Sequence, residues 1–177
     1  IVSSQTGSGK SAAFMLPALQ LLTKAHPQNG RGPRILVLTP TRELAVQVTK
    51  AAETYGRNLR AKTMSVVGGM PYPLQNRLLK AGVDILVATP GRLLDQMNSG
   101  RIDLSRLQLL VLDEADRMLD MGFKDELEAI VAKVPKTRQT LLFSATLEPG
   151  IQRLAGALLK DPLRIAVDTA QTRHANI

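Results

Sequence analysis

The stretch Ile1-Val2-Ser3-Ser4-Gln5-Thr6-Gly7-Ser8-Gly9-Lys10-Ser11-Ala12-Ala13-Phe14 decides the fold. An apolar stump runs into a glycine-rich turn, and the turn runs into a segment of helical period. Glycines let the backbone curl so that successive N–H groups point inward at phosphate oxygens, and the helix N-terminus behind them adds its dipole. Lys10 can then reach β- and γ-phosphates, and the Ser11 hydroxyl can ligate Mg²⁺. The strict pattern has Gly where this chain has Ser4, a small residue that still lets the strand turn into the loop. Gln5, Thr6, Gly7, Ser8, Gly9, Lys10 and Ser11 are the candidate nucleotide-binding residues; the alternative is an ordinary glycine-rich turn.

Downstream, short β-branched or leucine-rich runs alternate with longer helical segments. The runs are Ile35-Leu36-Val37-Leu38, Met64-Ser65-Val66-Val67, Ile85-Leu86-Val87-Ala88, Leu109-Leu110-Val111-Leu112, Leu141-Leu142-Phe143 and Ile165-Ala166-Val167. Most are continuously apolar, as strands covered on both faces are. Helices are expected over 10–25, with Phe14, Ala18, Leu21 and Leu22 on one face and a kink at Pro17. A second is expected over 42–58, with Leu44, Val48, Ala51 and Tyr55 inward, and a third over 123–134, with Phe123, Leu127, Ile130, Val131 and Val134 inward. Such alternation implies a three-layer α/β domain with a mainly parallel central sheet and right-handed crossovers. The domain is expected to occupy 1–168, with 169–177, polar and without a period, as a linker.

Composition narrows the chemistry. The 177 residues are 44% hydrophobic, enough for one core, and no apolar run approaches the ~20 residues of a membrane span. Zero cysteines exclude disulfides, thiolate zinc sites and cysteine nucleophiles, and suit a reducing, cytoplasmic compartment. With only His26 and His174, a histidine metal site or triad is not expected, and His26 reads as a surface residue near a helix C-terminus. Met118 and Met121, at i and i+3, read as packing residues. A net charge of +8 attracts polyanions, nucleic acid first among them, although basicity alone also suits a solubilising surface. Aromatics make up 3%, so any grip on nucleic acid should fall on phosphate and sugar rather than on stacked bases.

Leu109-Leu110-Val111-Leu112-Asp113-Glu114 is a buried strand ending in two acids. Carboxylates at the C-terminal edge of a parallel strand face the crevice where ligands of open α/β sheets bind. Asp113 would hold Mg²⁺, partly through water, and Glu114 would orient the water that attacks the γ-phosphate. In isolation the pair also suits a helix N-cap.

The full series of motifs resembles the DEAD-box RNA helicases. Asp113-Glu114-Ala115-Asp116 spells their signature, and Ser4 to Ser11 is similar to their motif I, with Ser4 for the usual Ala and Ser11 for the usual Thr. Pro40-Thr41-Arg42-Glu43-Leu44-Ala45 resembles motif Ia, Gly68-Gly69 the GG motif, Thr89-Pro90-Gly91-Arg92 motif Ib and Ser144-Ala145-Thr146 motif III.

The resemblance implies a RecA-like P-loop NTPase domain of an ATP-dependent RNA helicase, with ATP and Mg²⁺ as ligands and Lys10, Asp113 and Glu114 as the catalytic set. Pro40, Thr41, Arg42, Gly68, Gly69, Thr89, Pro90, Gly91 and Arg92 would bind RNA by its sugar-phosphate backbone, choosing RNA over DNA by the 2′-hydroxyl. Each has a plainer reading: Pro40 and Pro90 can simply start helices, and Arg42-Glu43 can be a solvated face. Asp116, Ser144 and Thr146 would couple nucleotide state to RNA, with the motif III strand lying between the P-loop strand and the DEAD strand; Thr146 alone could equally be a helix cap. Family members have a second RecA-like domain carrying an arginine finger, and an upstream adenine-reading Q motif. Nothing in this chain resembles either, and Ile1 is not an initiating Met, so the chain is expected to be a fragment that is nearly inactive alone. Two other classes remain: another P-loop enzyme, such as a DNA translocase or nucleotide kinase, and an RNA-binding module with a vestigial nucleotide site.

Overall fold

Residues buried along the whole length of three short strands organise the chain: Ile35–Leu38, Ile85–Ala88 and Leu109–Leu112 have no exposed position. The structure, a computed structural model, describes residues 2–3, 10–159 and 165–166, and side chains from 13 to 159. In chain order the elements are β1 (Val2–Ser3), α1 (Lys10–Leu22), β2 (Ile35–Leu38), α2 (Arg42–Tyr55), β3 (Thr63–Val66), α3 (Tyr72–Ala81), β4 (Ile85–Ala88) and α4 (Pro90–Asn98). They continue with β5 (Leu109–Leu112), α5 (Ala115–Asp120), α6 (Lys124–Val131), β6 (Gln139–Ser144), α7 (Pro149–Leu158) and β7 (Ile165–Ala166). All strand pairings are parallel, and the sheet order is β3-β4-β2-β5-β6-β1-β7. As expected, β6 separates the strand before the glycine-rich turn from the strand before Asp113.

The period of two along each strand divides the core between two faces. Ile35, Val37, Ile85, Val87, Leu109, Val111 and Phe143 pack against Phe14, Met15, Ala18 and Leu19 of α1 and Ala45, Val48 and Ala52 of α2. Leu36, Leu38, Leu86, Ala88, Leu110, Leu112 and Leu142 face the other way, onto Leu93 of α4, Met118 of α5, Leu127 and Ile130 of α6, and Ile151 and Leu154 of α7. This is the three-layer α/β architecture with a parallel sheet. Phe14 and Phe143 meet edge to face across the first layer, with ring centroids 5.3 Å apart.

Several expected boundaries move. The first helix ends at Leu22 rather than 25, and Pro17 lies inside it. The second ends at Tyr55 and passes through Gly56 into a 3₁₀ turn at Arg57–Leu59. Its buried positions are Ala45, Val48 and Ala52, and Tyr55 is 47% exposed. The inward stripe therefore uses small residues, because α2 lies close to the sheet and α1, and the larger side chains turn outward. The strand expected at Met64–Val67 begins one residue earlier. Met118 is fully buried, but Met121 is 47% exposed because the chain turns out of α5 there. His26 is half-buried in the loop after α1, where Gln28 N donates to its Nδ1 (2.8 Å), so its Nε2 donates to Arg106 O (3.0 Å) and ties that loop to the segment before β5. Val167 and the segment 169–177 lie outside the described residues.

Phe143→Ala removes one ring of the pair that joins α1 to β6. It should lower unfolding stability by about 3–5 kcal/mol. Urea denaturation followed by circular dichroism checks this, and a loss below about 1 kcal/mol would contradict the packing.

Candidate functional site

Parallel pairing brings the C-terminal end of every strand to one edge of the sheet, and the residues singled out above follow those ends. In the half formed by β5, β6 and β1, Leu112 is level with Leu142, and Ser3 is level with Ser144. Two strand spacings separate β5 from β1, about 10 Å. Ser4, Gln5, Thr6, Gly7, Ser8 and Gly9 lie outside the described residues. Lys10 and Ser11 form the first turn of α1, where backbone N–H groups have no helical partner; their side chains also lie outside the description.

Asp113 follows β5 directly, is 2% exposed, and donates its N–H to Leu38 O at 2.9 Å. Glu114, 8% exposed, sits at the N-cap of α5 with φ 53° and ψ 52°. A non-glycine residue costs energy in this left-handed region, and such residues concentrate at functional sites. The turn lets the chain leave a buried strand and enter a helix within two residues, the two acids at the sheet edge. The Glu114 carboxylate lies 3.6 Å from Arg117 Nη1, one turn along α5. Among the described residues no group of three or more His, Cys, Asp or Glu side chains could hold a metal ion. A dedicated protein cage is therefore not formed there; buried Asp113, at the same sheet edge as the strand that leads into α1, suits a hard cation that arrives with phosphate oxygens and keeps its waters.

Asp116, half-buried, lies in the first turn of α5, which packs against β6. Ser144 closes β6 at 2% exposure, and its Oγ accepts from Thr146 N at 3.4 Å. No hydrogen bond joins Asp116 to Ser144 or Thr146 among the described residues, and Thr146 Oγ1 is buried without a partner.

The other half of the edge is formed by β3, β4 and β2. After β2, Pro40 is buried, Thr41 is the N-cap of α2, and its Oγ1 accepts from Leu44 N at 3.3 Å. Arg42 is thus the first helical residue, and Pro40 lies before the cap rather than at the start of the helix. After β3, Gly68 and Gly69 are exposed; Gly69 has φ +85°, and the Arg42 guanidinium lies where its Cβ would be. Gly68 has open space where a Cβ would project. After β4, Thr89 caps α4 without a side-chain bond, Pro90 is buried at the first helical position, and Gly91 and Arg92 complete the first turn. The Arg92 guanidinium lies 4.0 Å over the ring of Tyr72, whose hydroxyl is 3.5 Å from Asp95 Oδ2.

Tyr72, Gln75, Gln96 and Arg117 were not singled out in the sequence. Gln75 is buried while Leu74 and Leu78 beside it are 38% and 40% exposed, so hydrophobic periodicity points α3 the wrong way round. Only the rarity of aromatics, two tyrosines in the chain, could have drawn attention to Tyr72 three residues after Gly69.

The family described as DEAD/DEAH box helicase matches residues 1–154. The chain is 46% identical over 175 residues to the ATP-dependent RNA helicase DeaD of Escherichia coli K12, covering 98% of this chain and 27% of that protein. It is 46% identical over 168 residues to the ATP-dependent RNA helicase DBP2 of Eremothecium gossypii, covering 94% of this chain and 30% of that one. Among solved structures, the yeast DEAD-box splicing factor Prp28 superposes with a TM-score of 0.89 at 35% identity, over 95% of this chain and 41% of the other. A hypothetical ATP-dependent RNA helicase from Sulfolobus tokodaii superposes at 0.84 with 40% identity, over 94% and 47% of the two chains. The chain thus spans under a third of the length of these curated relatives.

The two adjacent glycines make different demands. Gly69→Ala places a methyl group against Arg42 at a positive φ and should cost about 1–2 kcal/mol. Gly68→Ala meets open space and should stay within about 0.5 kcal/mol of the parent. Thermal melts of the two variants check this; equal destabilisation would contradict the turn geometry.

Proposed function

The chain belongs to the DEAD/DEAH box helicase family, and from that membership we propose that it is the ATP-binding RecA-like domain of an ATP-dependent RNA helicase. The observation that carries this reading is the division of one sheet edge. Candidate phosphate groups follow β1, β5 and β6, and candidate RNA groups follow the adjacent β2, β4 and β3. The two sets meet where β2 pairs with β5.

In this reading the Gln5–Ser11 backbone cradles the phosphates of ATP, and Lys10 neutralises charge on the β- and γ-phosphates. Ser11, and Asp113 through water, would hold Mg²⁺, which would supply charge neutralisation on the phosphates. Glu114 orients and polarises the attacking water from a backbone position fixed by its left-handed turn. Asp116, Ser144 and Thr146 couple the nucleotide to the RNA half; α5 packing on β6 supports their proximity, and the unpartnered Thr146 Oγ1 leaves a hydroxyl free to take a new bond.

On the RNA half, Thr41 and Thr89 stand at helix N-termini, where backbone N–H groups and the dipole favour phosphate oxygens. Pro40 and Pro90 fix the entry into those helices, Arg42 and Arg92 add charge, and Gly68, Gly69 and Gly91 permit close approach of a sugar-phosphate backbone. Contacts of this kind read the 2′-hydroxyl and the phosphate rather than base identity. The net charge of +8 suits the same partner. A second RecA-like domain is the expected partner for domain closure, local strand bending and duplex opening, and a cytoplasmic setting suits the cysteine-free chain. Among the described residues no helix is long and apolar enough to cross a membrane.

Phosphate-release assays test this. Alone, the chain should hydrolyse ATP near background, because arginine fingers in P-loop enzymes contribute about 10³–10⁵ in rate. Joined to a second RecA-like domain, it should hydrolyse ATP with stimulation by single-stranded RNA more than by DNA. Glu114→Gln should reduce that rate by at least about 10²-fold. RNA-stimulated turnover by the chain alone would refute the first expectation; equal stimulation by DNA would favour a DNA translocase.

A further inference from the structure

Between α3 and α4 lies a set of polar side chains that the reading above does not use. Gln75 and Gln96 are each fully buried, although glutamine is ordinarily an exposed residue. Gln75 Nε2 donates to Val67 O at 3.0 Å, the carbonyl immediately before Gly68. Gln96 Nε2 donates to Gln75 Oε1 at 3.0 Å and to Asn76 Oδ1 at 3.3 Å. The orientations follow from one another. Val67 O can only accept, so Gln75 must present its amide nitrogen there and its oxygen to α4, and Gln96 must answer with nitrogen. One turn earlier the same helices meet again, through Tyr72 against Arg92 and Asp95.

We infer that Gln75 and Gln96 are positioning residues for RNA, locking the Gly68–Gly69 turn to the first turn of α4 so that the two present one rigid surface. The inference rests on the proposed RNA role of Gly68, Gly69 and Arg92. Physical reasoning favours a positioning role over a purely structural one. Buried amides add little net stability compared with apolar groups of the same shape, but their hydrogen bonds fix a geometry; here Gln75 Nε2, Gln75 Oε1 and Gln96 Nε2 are bonded, and Gln96 Oε1 is buried without a partner among the described residues. Here the chain of bonds ends on the backbone carbonyl that enters the glycine turn at one end, and on the helix that begins with Pro90-Gly91-Arg92 at the other. A slip of either element would break bonds to the fully buried Gln75 and Gln96 and leave their polar groups unpaired at a cost.

The test is fluorescence anisotropy of a labelled single-stranded RNA oligonucleotide at low salt, with the chain and four variants: Gln96→Met, Gln75→Met, the double variant and Arg92→Ala. Gln96→Met is close to isosteric and leaves the bond from Gln75 to Val67 in place, so it should fold even if Gln75→Met does not. The expected result is about 5-fold weaker RNA binding in Gln96→Met, with unchanged affinity for an Mg²⁺-ATP analogue. Where both single variants fold, the double variant should be no weaker than the worse of them. RNA affinity equal to the parent in a folded Gln96→Met, while Arg92→Ala weakens binding, would overturn the positioning role and leave the RNA surface standing. RNA affinity unaffected by Arg92→Ala would remove that surface and the inference with it. Equal losses of RNA and nucleotide affinity would mark a general structural defect and also overturn it.

Discussion

Everything in this domain depends on burying a parallel sheet on both faces. Backbone pairing along β2, β4 and β5 leaves no edge to water, and side chains of alternating direction need a helical layer on each side. Each inward Leu, Ile or Val contributes about 1.5–3 kcal/mol when fully buried, so no strand can slip by a residue without exchanging its two faces. Parallel order also forces each return crossing through a helix. The result is a single edge at which every strand ends and the loops carry the polar and charged residues the core cannot hold.

That edge explains how the two proposed polyanion-binding surfaces would adjoin without merging. Strand order places β5, β6 and β1 on one side and β3, β4 and β2 on the other. Buried Asp113 donates its N–H to Leu38 O at the junction, so the backbone that aims the acids is bonded to the strand that leads into Thr41 and Arg42. A change at the proposed nucleotide half would reach the proposed RNA half through one strand pair and the helices capped at its ends. The strained backbone of Glu114 and the packed glutamines of α3 and α4 serve the same end: both fix a loop at a sheet edge where loops would otherwise be mobile.

The layers and the order of motifs were legible in the sequence because continuous apolar runs and glycine-rich turns have strong local physics. Ile35–Leu38, Ile85–Ala88 and Leu109–Leu112 fall where the runs predict. What was not legible depends on tertiary distance. Small residues face inward on α2 because of close packing, which a search for large apolar side chains misreads. Helix α3 hides Gln75 and exposes Leu74 and Leu78, a reversal of the usual pattern set by a carbonyl that needs a donor. His26 has no local signal for its bond to Arg106, eighty residues away in the chain. At the site, the glycine-rich turn and the strand ending in two acids suggested roles for Lys10, Ser11, Asp113 and Glu114, whereas the roles proposed for the RNA half came from resemblance alone.

Whether the edge beyond β1 and β5 works as the proposed nucleotide site decides the rest. Its most direct test is binding of a fluorescent ATP analogue with Mg²⁺ to this chain and to its Lys10→Ala variant, with and without single-stranded RNA. Saturable binding by the chain, lost in the variant, is the expected result. Equal binding by the two, or none by a chain shown to be folded, would contradict it.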